Sequence, residues 1–322
     1  MSSDTGVYSY SAVLMGSPIL LKLFEHNQQL AGNVFRLIKQ QEDIFTVNRE
    51  HSQVMAINRA AGDHAVAVSR ALYQVIKRAK EASVLPGSCF NLAIGPLVKR
   101  WKIGFQGNSV PAASELRALL TLADPHQVVL DDETASVFLS RAGMEIDLGA
   151  IAKGYIADVV RDYLRQQGVK DALINLGGNV LALGNSVQHC WNIGLKQPFA
   201  TDEAPLGVIG VTDKSVVTSG IYERYFERDG RCYHHILDPQ TGYPLDNELL
   251  SVTIICDNAT DGDIWTTLMY GQGVEQGLAT LSQNPAIEAI FVTRDKQIIC
   301  SSQRQFSFKQ LNDSYRLTGN IV

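Results

Sequence analysis

Asp147-Leu148-Gly149-Ala150-Ile151-Ala152-Lys153-Gly154-Tyr155 places a carboxylate before a glycine turn that opens a helix. Beyond it, Ile156, Val159, Val160, Tyr163 and Leu164 recur at helical spacing, predicting a helix over about 153–167, with Gly168 where a C-terminal cap belongs. Residues 172–176 then read as a strand running into Gly177-Gly178. On the other side, Val128-Val129-Leu130 and Val137-Phe138-Leu139 read as short strands joined by an acidic turn. Helices and strands alternate, but antiparallel-looking strand pairs recur, so the fold class is α+β rather than a uniform βαβ repeat.

The same reading extends outward. Residues 8–30 suggest strands around a Gly-Ser-Pro break. Residues 33–45, 66–82 and 111–122 read as helices, the second carrying Val68, Leu72, Val75, Ile76 and Ala79 on one face. Residues 191–255 are mostly strand-like, and a last strong helix runs from near Asp263 to about Leu281, followed by strands over 287–292 and 297–300. The linker-like stretch 197–205 reads as a surface loop, so residues 1–322 are taken as one unit.

Composition sets bounds. With 322 residues, 45% hydrophobic and 19% charged, the chain can bury a sizeable core. A net charge of -5 and the lack of a dense Lys/Arg cluster argue against nucleic acid as a partner. Cys89, Cys190, Cys232, Cys256 and Cys300 form no C-x-x-C pair, which speaks against a zinc site or disulfide framework and for a reducing compartment. Met1-Ser2-Ser3-Asp4 shows no signal-peptide pattern, and the apolar run 18–24 is too short to span a membrane; a cytoplasmic location is expected.

Four segments could carry chemistry, each with a plain structural alternative. The Asp147 turn suits an anion, since backbone N–H groups gather at a helix start, yet Asp147 also makes an ordinary cap. Asn175-Leu176-Gly177-Gly178-Asn179 could pass close to a nucleotide, or be a common turn. Thr218-Ser219-Gly220 precedes Tyr233-His234-His235-Ile236-Leu237-Asp238-Pro239-Gln240-Thr241-Gly242-Tyr243-Pro244. There a histidine is a natural general base, or a solvent-facing neighbour of a turn. Adjacent strand residues point to opposite faces, so His234 and His235 are not expected to share a metal. Asp263 and Thr267, four apart, share one side of a helix; a carboxylate plus a hydroxyl suits a hard cation such as Mg²⁺, and equally a first-turn acid followed by an ordinary helix residue. A Walker P-loop, a Rossmann G-x-G-x-x-G and a G-x-S-x-G elbow are all missing.

Taken in order, these segments resemble the ApbE family, the FAD:protein FMN transferases. Met15-Gly16-Ser17 is similar to its Met-Gly-Thr, Ser52 through Asn58 to its helical Ser-to-Asn signature, and Gly95-Pro96-Leu97-Val98 with Trp101 to its G-P-L-V-x-x-W. Asp147 to Asp158, Asn175 to Asn179, Thr218 to Gly220, His235 to Pro244 and Asp263 to Thr267 complete the set. The resemblance implies two tandem T-fold-like halves with mixed, mostly antiparallel sheets, flanking helices and the flavin site between them. It implies transfer of FMN from FAD to a protein threonine with release of AMP, dependent on Mg²⁺ or Mn²⁺. It implies an acceptor, a redox subunit with a Ser/Gly-Ala-Thr type motif that this chain lacks. Carried over position by position, Asp263, Thr267 and the Ala150 carbonyl match the metal ligands, and His235 the base. Met15, Asp147, Lys153 and Ile236 match flavin-nucleotide contacts, Cys89, Phe90 and Asn91 form a further contact segment, and Thr218 and Ser219 join the binding set. Two positions depart: Asn91 replaces a frequent Asp, and Asn48 a frequent aromatic residue. The competing readings are an FAD pyrophosphatase giving FMN and AMP, and a non-catalytic flavin-binding protein.

Overall fold

Along Ala172–Leu176 the side chains of Ala172, Ile174 and Leu176 enter one apolar cluster while Leu173 enters another. That two-residue period belongs to a strand buried on both faces. It lies within a nine-stranded sheet in which spatial order follows chain order: Tyr8–Leu14, Ser17–Leu23, Ala172–Leu176, Asn179–Leu183, Lys214–Gly220, Leu249–Cys256, Glu288–Thr293, Gln297–Cys300 and Arg316–Thr318. Every pairing is antiparallel except that of the last two strands. On one face lie apolar residues of helices Gln28–Phe45 and Ala152–Gln166; on the other, a three-stranded sheet of Trp191–Lys196, Pro205–Val211 and Ser307–Gln310. The α+β expectation therefore holds. In this computed structural model residues 6–186, 190–202 and 204–318 are described; the N-terminal segment Met1 to Asp4, read above for a leader, and part of the loop 197–205 lie outside them. No helix among the described residues is long and apolar enough to cross a membrane, and the five cysteines form no disulfide.

The chain divides into two compact units: residues 1–41, 153–220 and 248–322, and residues 42–152 with 221–247. The first contains the nine-stranded sheet. The second has its own core of Leu97, Trp101, Ile103, Leu116 and Leu237. Trp101 donates its indole N–H to the Gly242 carbonyl at 2.7 Å, and the rings of Phe226, Tyr233 and Tyr243 gather around it. A two-stranded ribbon alone is marginal in water. The ribbon of Tyr225–Arg228 and Arg231–His234 is supported here by Phe226 stacked on Tyr233 at 5.1 Å and by Trp101 beneath.

Several boundaries differ from the sequence reading, two of them because a polar side chain caps the start. The helix expected over 66–82 begins at Arg70, capped by the Ser69 hydroxyl on the Leu72 N–H; Val66–Ala67 pairs with Ser136–Val137 as strand. The helix expected from residue 33 starts at Gln28, with the Asn27 side chain accepting from Leu30 N–H. The helix expected over 111–122 is confined to Ala113–Leu120.

The last helix runs Ala259–Ser282 rather than from Asp263. Asn258 caps it through the Asp261 N–H, so Asp263 is not the cap. Its first turn lacks apolar periodicity, which is why spacing placed the start four residues late. At Gly273 the helix kinks through φ 76°, where Glu248 accepts the freed Val274 N–H at 2.7 Å. Asp158, the last residue of the motif that begins at Asp147, closes the helix start. Its carboxylate accepts from Ala259 N–H (2.9 Å), Thr260 N–H (2.8 Å) and the Thr260 hydroxyl, and pairs with Arg161 at 3.0 Å. Asp158→Ala would strand one buried and one partly buried N–H group and a half-buried guanidinium. It is expected to cost about 3 kcal/mol, read as a lower urea midpoint with unchanged slope.

Candidate functional site

Within the first unit, the helix that Asp158 anchors presents Asp263 and Thr267 one turn apart, both half-buried. Two elements hold the Asp263 carboxylate. The Gly154 N–H, in the first turn of Ala152–Gln166, donates to Oδ2 at 2.6 Å, and the Asn179 amide donates to Oδ1 at 2.9 Å. Burial pushes the Asp263 carboxyl up to about 7, against the opposing pull of these donors and the Lys153 charge. Lys153 Nζ reaches the Ser17 hydroxyl at 3.2 Å, beside the turn Met15-Gly16. That turn has φ of 52° and 66°, the left-handed pair of a two-residue hairpin. A methionine in that region is uncommon and marks Met15 as a position held by its surroundings.

Close packing makes Gly154 obligatory. A Cβ there would stand 2.1 Å from the Ala259 carbonyl oxygen and 2.8 Å from Asp263 Oδ2. Gly154→Ala is therefore expected to push the two helices apart, lowering stability by about 1–3 kcal/mol. It should also displace the Asp263 carboxylate that the Gly154 N–H holds; melting temperature checks the loss. The remaining first-unit candidates are locked into hydroxyl pairs: Thr218 with Thr253 at 2.8 Å, and Ser219 donating to Thr266 at 2.9 Å.

The second unit carries the other expected residues. His234 closes the strand Arg231–His234, and His235 lies just beyond it. His234 is buried and structural: its Nδ1 accepts the Ile236 N–H and its Nε2 donates to the Leu245 carbonyl at 2.8 Å. His235 is half-buried, with Nδ1 3.1 Å from the Arg224 carbonyl. A carbonyl only accepts, so Nδ1 carries a proton toward it. The turn after it forms as read: Asp238 accepts the Gln240 N–H, and Gly242 takes φ 77°. The Ile236 side chain is buried.

Asp147 does not cap the helix. Its Oδ1 accepts the Gly149 N–H at 2.7 Å in a local turn, and the helix begins only at Ala152. Burial raises the Asp147 carboxyl pKa. Ala150 lies exposed in this turn. Of the segment Cys89, Phe90 and Asn91, Phe90 is buried. Asn91 uses its amide on the Ala123 carbonyl and the Ala93 N–H. Cys89 is half-buried, with its thiol pushed up to about 11 by burial and by Asp238. It is an inert thiol rather than a nucleophile.

The donor set at Asp263 suits a hard cation. A carboxylate, a hydroxyl at Thr267 and a buried amide oxygen on Asn179 without a hydrogen-bond partner are all oxygen donors. Among the described residues there is no group of three or more His, Cys, Asp or Glu that could hold a metal ion. Gly154 and Asn179 were not singled out from the sequence; a backbone donor and a strand asparagine give no signal there except their place in recurring motifs.

The ApbE family model matches residues 15–291. An FAD:protein FMN transferase of Klebsiella pneumoniae (strain 342) is 61% identical over 315 residues, 98% of each chain. One of Treponema pallidum (strain Nichols) is 41% identical over 283 residues, 84% of this chain and 78% of its own. Among solved structures, the apo form of the Pseudomonas stutzeri flavinyl transferase ApbE aligns with TM-score 0.78 at 28% identity, covering 94% of both chains. The ApbE protein of Thermotoga maritima aligns with TM-score 0.79 at 29% identity, covering 94% of this chain and 96% of that one. With the motifs in order along the matched residues and the fold shared with these structures, the chain belongs to the ApbE family.

Proposed function

We propose that this chain transfers FMN from FAD to a threonine hydroxyl of an acceptor flavoprotein, releasing AMP. The observation that carries the reading is His235, half-buried beside the turn Asp238 to Gly242, with its Nδ1 oriented by the Arg224 carbonyl. A protein that only carried flavin would have no use for such a base. Nε2 accepts the proton of the acceptor threonine as its Oγ attacks the FMN-side phosphorus; the bond from that phosphorus to the bridging oxygen breaks, and AMP leaves with that oxygen. Asp263, Thr267 and the Ala150 carbonyl hold Mg²⁺, or Mn²⁺ in its place. When bound, the cation supplies charge neutralisation on the pyrophosphate. The protein's share is positioning and electrostatics, as in phosphoryl transfer generally. Met15, Lys153, Asp147, Thr218, Ser219, Ile236 and the segment at Cys89 to Asn91 contact the flavin nucleotide; because Phe90 and Asn91 are engaged by protein, that segment does so through backbone and Cys89. The acceptor is a redox subunit with a Ser/Gly-Ala-Thr type motif, and the enzyme works in the cytoplasm.

The test is incubation with FAD, MgCl₂ and a Ser/Gly-Ala-Thr protein. One FMN on the acceptor threonine, seen by in-gel fluorescence and mass, with one AMP released per transfer, is the expected result. Free FMN and AMP with an unlabelled acceptor would instead establish the pyrophosphatase reading.

A further inference from the structure

Asn179 opens the strand Asn179–Leu183 directly after the Gly177-Gly178 turn, whose φ values of 69° and 97° set the chain's direction there. It is 3% exposed, and the four residues after it are apolar and buried. Core packing alone would place another apolar side chain here. Its Nδ2 donates to Asp263 Oδ1 at 2.9 Å, while the Gly154 N–H takes Oδ2 at 2.6 Å. Each carboxylate oxygen is thus held from a different element, which fixes the rotamer of Asp263.

The amide orientation follows from chemistry. With Asp263 ionised, as cation binding requires, its oxygens accept and do not donate, so Asn179 must turn its N–H end toward Asp263. Its Oδ1 then points elsewhere, buried and without a hydrogen-bond partner. An unsatisfied buried acceptor costs about 1–3 kcal/mol. Reversing the amide would bring two acceptor oxygens together and lose the bond to Asp263, so the cost cannot be relieved from within. A partner from outside can relieve it, and that partner must be a cation or a donor. Asparagine oxygens are ordinary ligands of hard cations.

We propose that Asn179 is a member of the cation site in its own right: Nδ2 positions the Asp263 carboxylate, and Oδ1 is offered to the cation or to its hydration water. This rests on the cation reading of Asp263 and Thr267 and adds a residue to it.

Mn²⁺ binding to the metal-free protein, followed by the loss of the free-ion EPR signal, tests this without catalysis. Asn179→Ala is expected to weaken Mn²⁺ binding about 10–100-fold, the usual effect of losing an orienting partner or outer ligand. Asn179→Asp, of nearly the same volume, adds an anionic oxygen and is expected to tighten binding about threefold or more at alkaline pH, because ligand charge tunes cation affinity. A purely structural asparagine would alter melting temperature and leave both affinities unchanged. A folded Asn179→Ala protein with wild-type Mn²⁺ affinity overturns the proposal; should that variant fail to fold, wild-type affinity in Asn179→Asp overturns it. Asp263→Ala is the control. If it also binds Mn²⁺ as wild type does, the cation reading itself falls, a result distinct from failure at Asn179 alone.

Discussion

His235→Ala is expected to lower FMN transfer by about 10²–10⁴-fold, the range for losing a positioned general base. That is about 3–5 kcal/mol of barrier. The loss should fall on kcat, because the half-buried imidazole acts on the acceptor proton rather than in the core. Melting temperature and FAD affinity should stay near wild type. His234→Ala is the contrasting control. It strips a buried ring that joins the Ile236 N–H to the Leu245 carbonyl, so it should cost about 1–3 kcal/mol of stability. Single-turnover transfer assays and urea unfolding on both variants separate the roles. A His235→Ala enzyme with wild-type turnover would mean that the acceptor proton leaves by another route.

Asp263→Asn is expected to abolish the metal requirement and cut transfer by about 10²-fold or more, since a cation clamp on a phosphoryl group is among the larger catalytic contributions. Its pH behaviour gives a second, independent reading. Burial raises this carboxyl from 3.8 to about 7, so the metal-free folded chain keeps the proton over a range where the unfolded chain has lost it. The linkage sign follows: without cation, the group's contribution to stability falls as pH rises from 3.8 through about 7, then levels off. Cation binding needs the ionised form, so affinity should drop about tenfold per pH unit below the shifted value and be flat above it. Thermal unfolding with and without MgCl₂, well below and well above neutrality, checks both. Wild type should gain more from Mg²⁺ on the alkaline side, and Asp263→Asn should gain little at either. Equal gains in both proteins would place the cation elsewhere.

The sequence was most legible where one residue type has one structural meaning. The strand over Ala172–Leu176, the strand-like character of the region that holds Lys214–Gly220, the turn at Asp238 to Gly242, and the i, i+4 spacing of Asp263 and Thr267 all stand as read. It was least legible at element starts, where Ser69, Asn27 and Asn258 cap helices by bonds that hydrophobic spacing does not register. It also offered Asp147 as a helix cap where the structure has a local turn, and gave no sign that the Asn91 amide is engaged at Ala123.

By itself, the order of short motifs from Met15 to Thr267 determined the family and thus the reaction class, because glycines, carboxylates and a histidine at those places answer chemical needs that survive any repacking around them. Tertiary structure alone decided how those groups are poised. Which ring nitrogen of His235 is protonated depends on the Arg224 carbonyl, eleven residues away. The orientation of the Asp263 carboxylate depends on Gly154 and Asn179, 109 and 84 residues away, and its raised pKa on burial that outweighs both of these donors. Hydrogen bonds act over about 3 Å and desolvation depends on what packs around a group; neither is written in the local spacing of a chain.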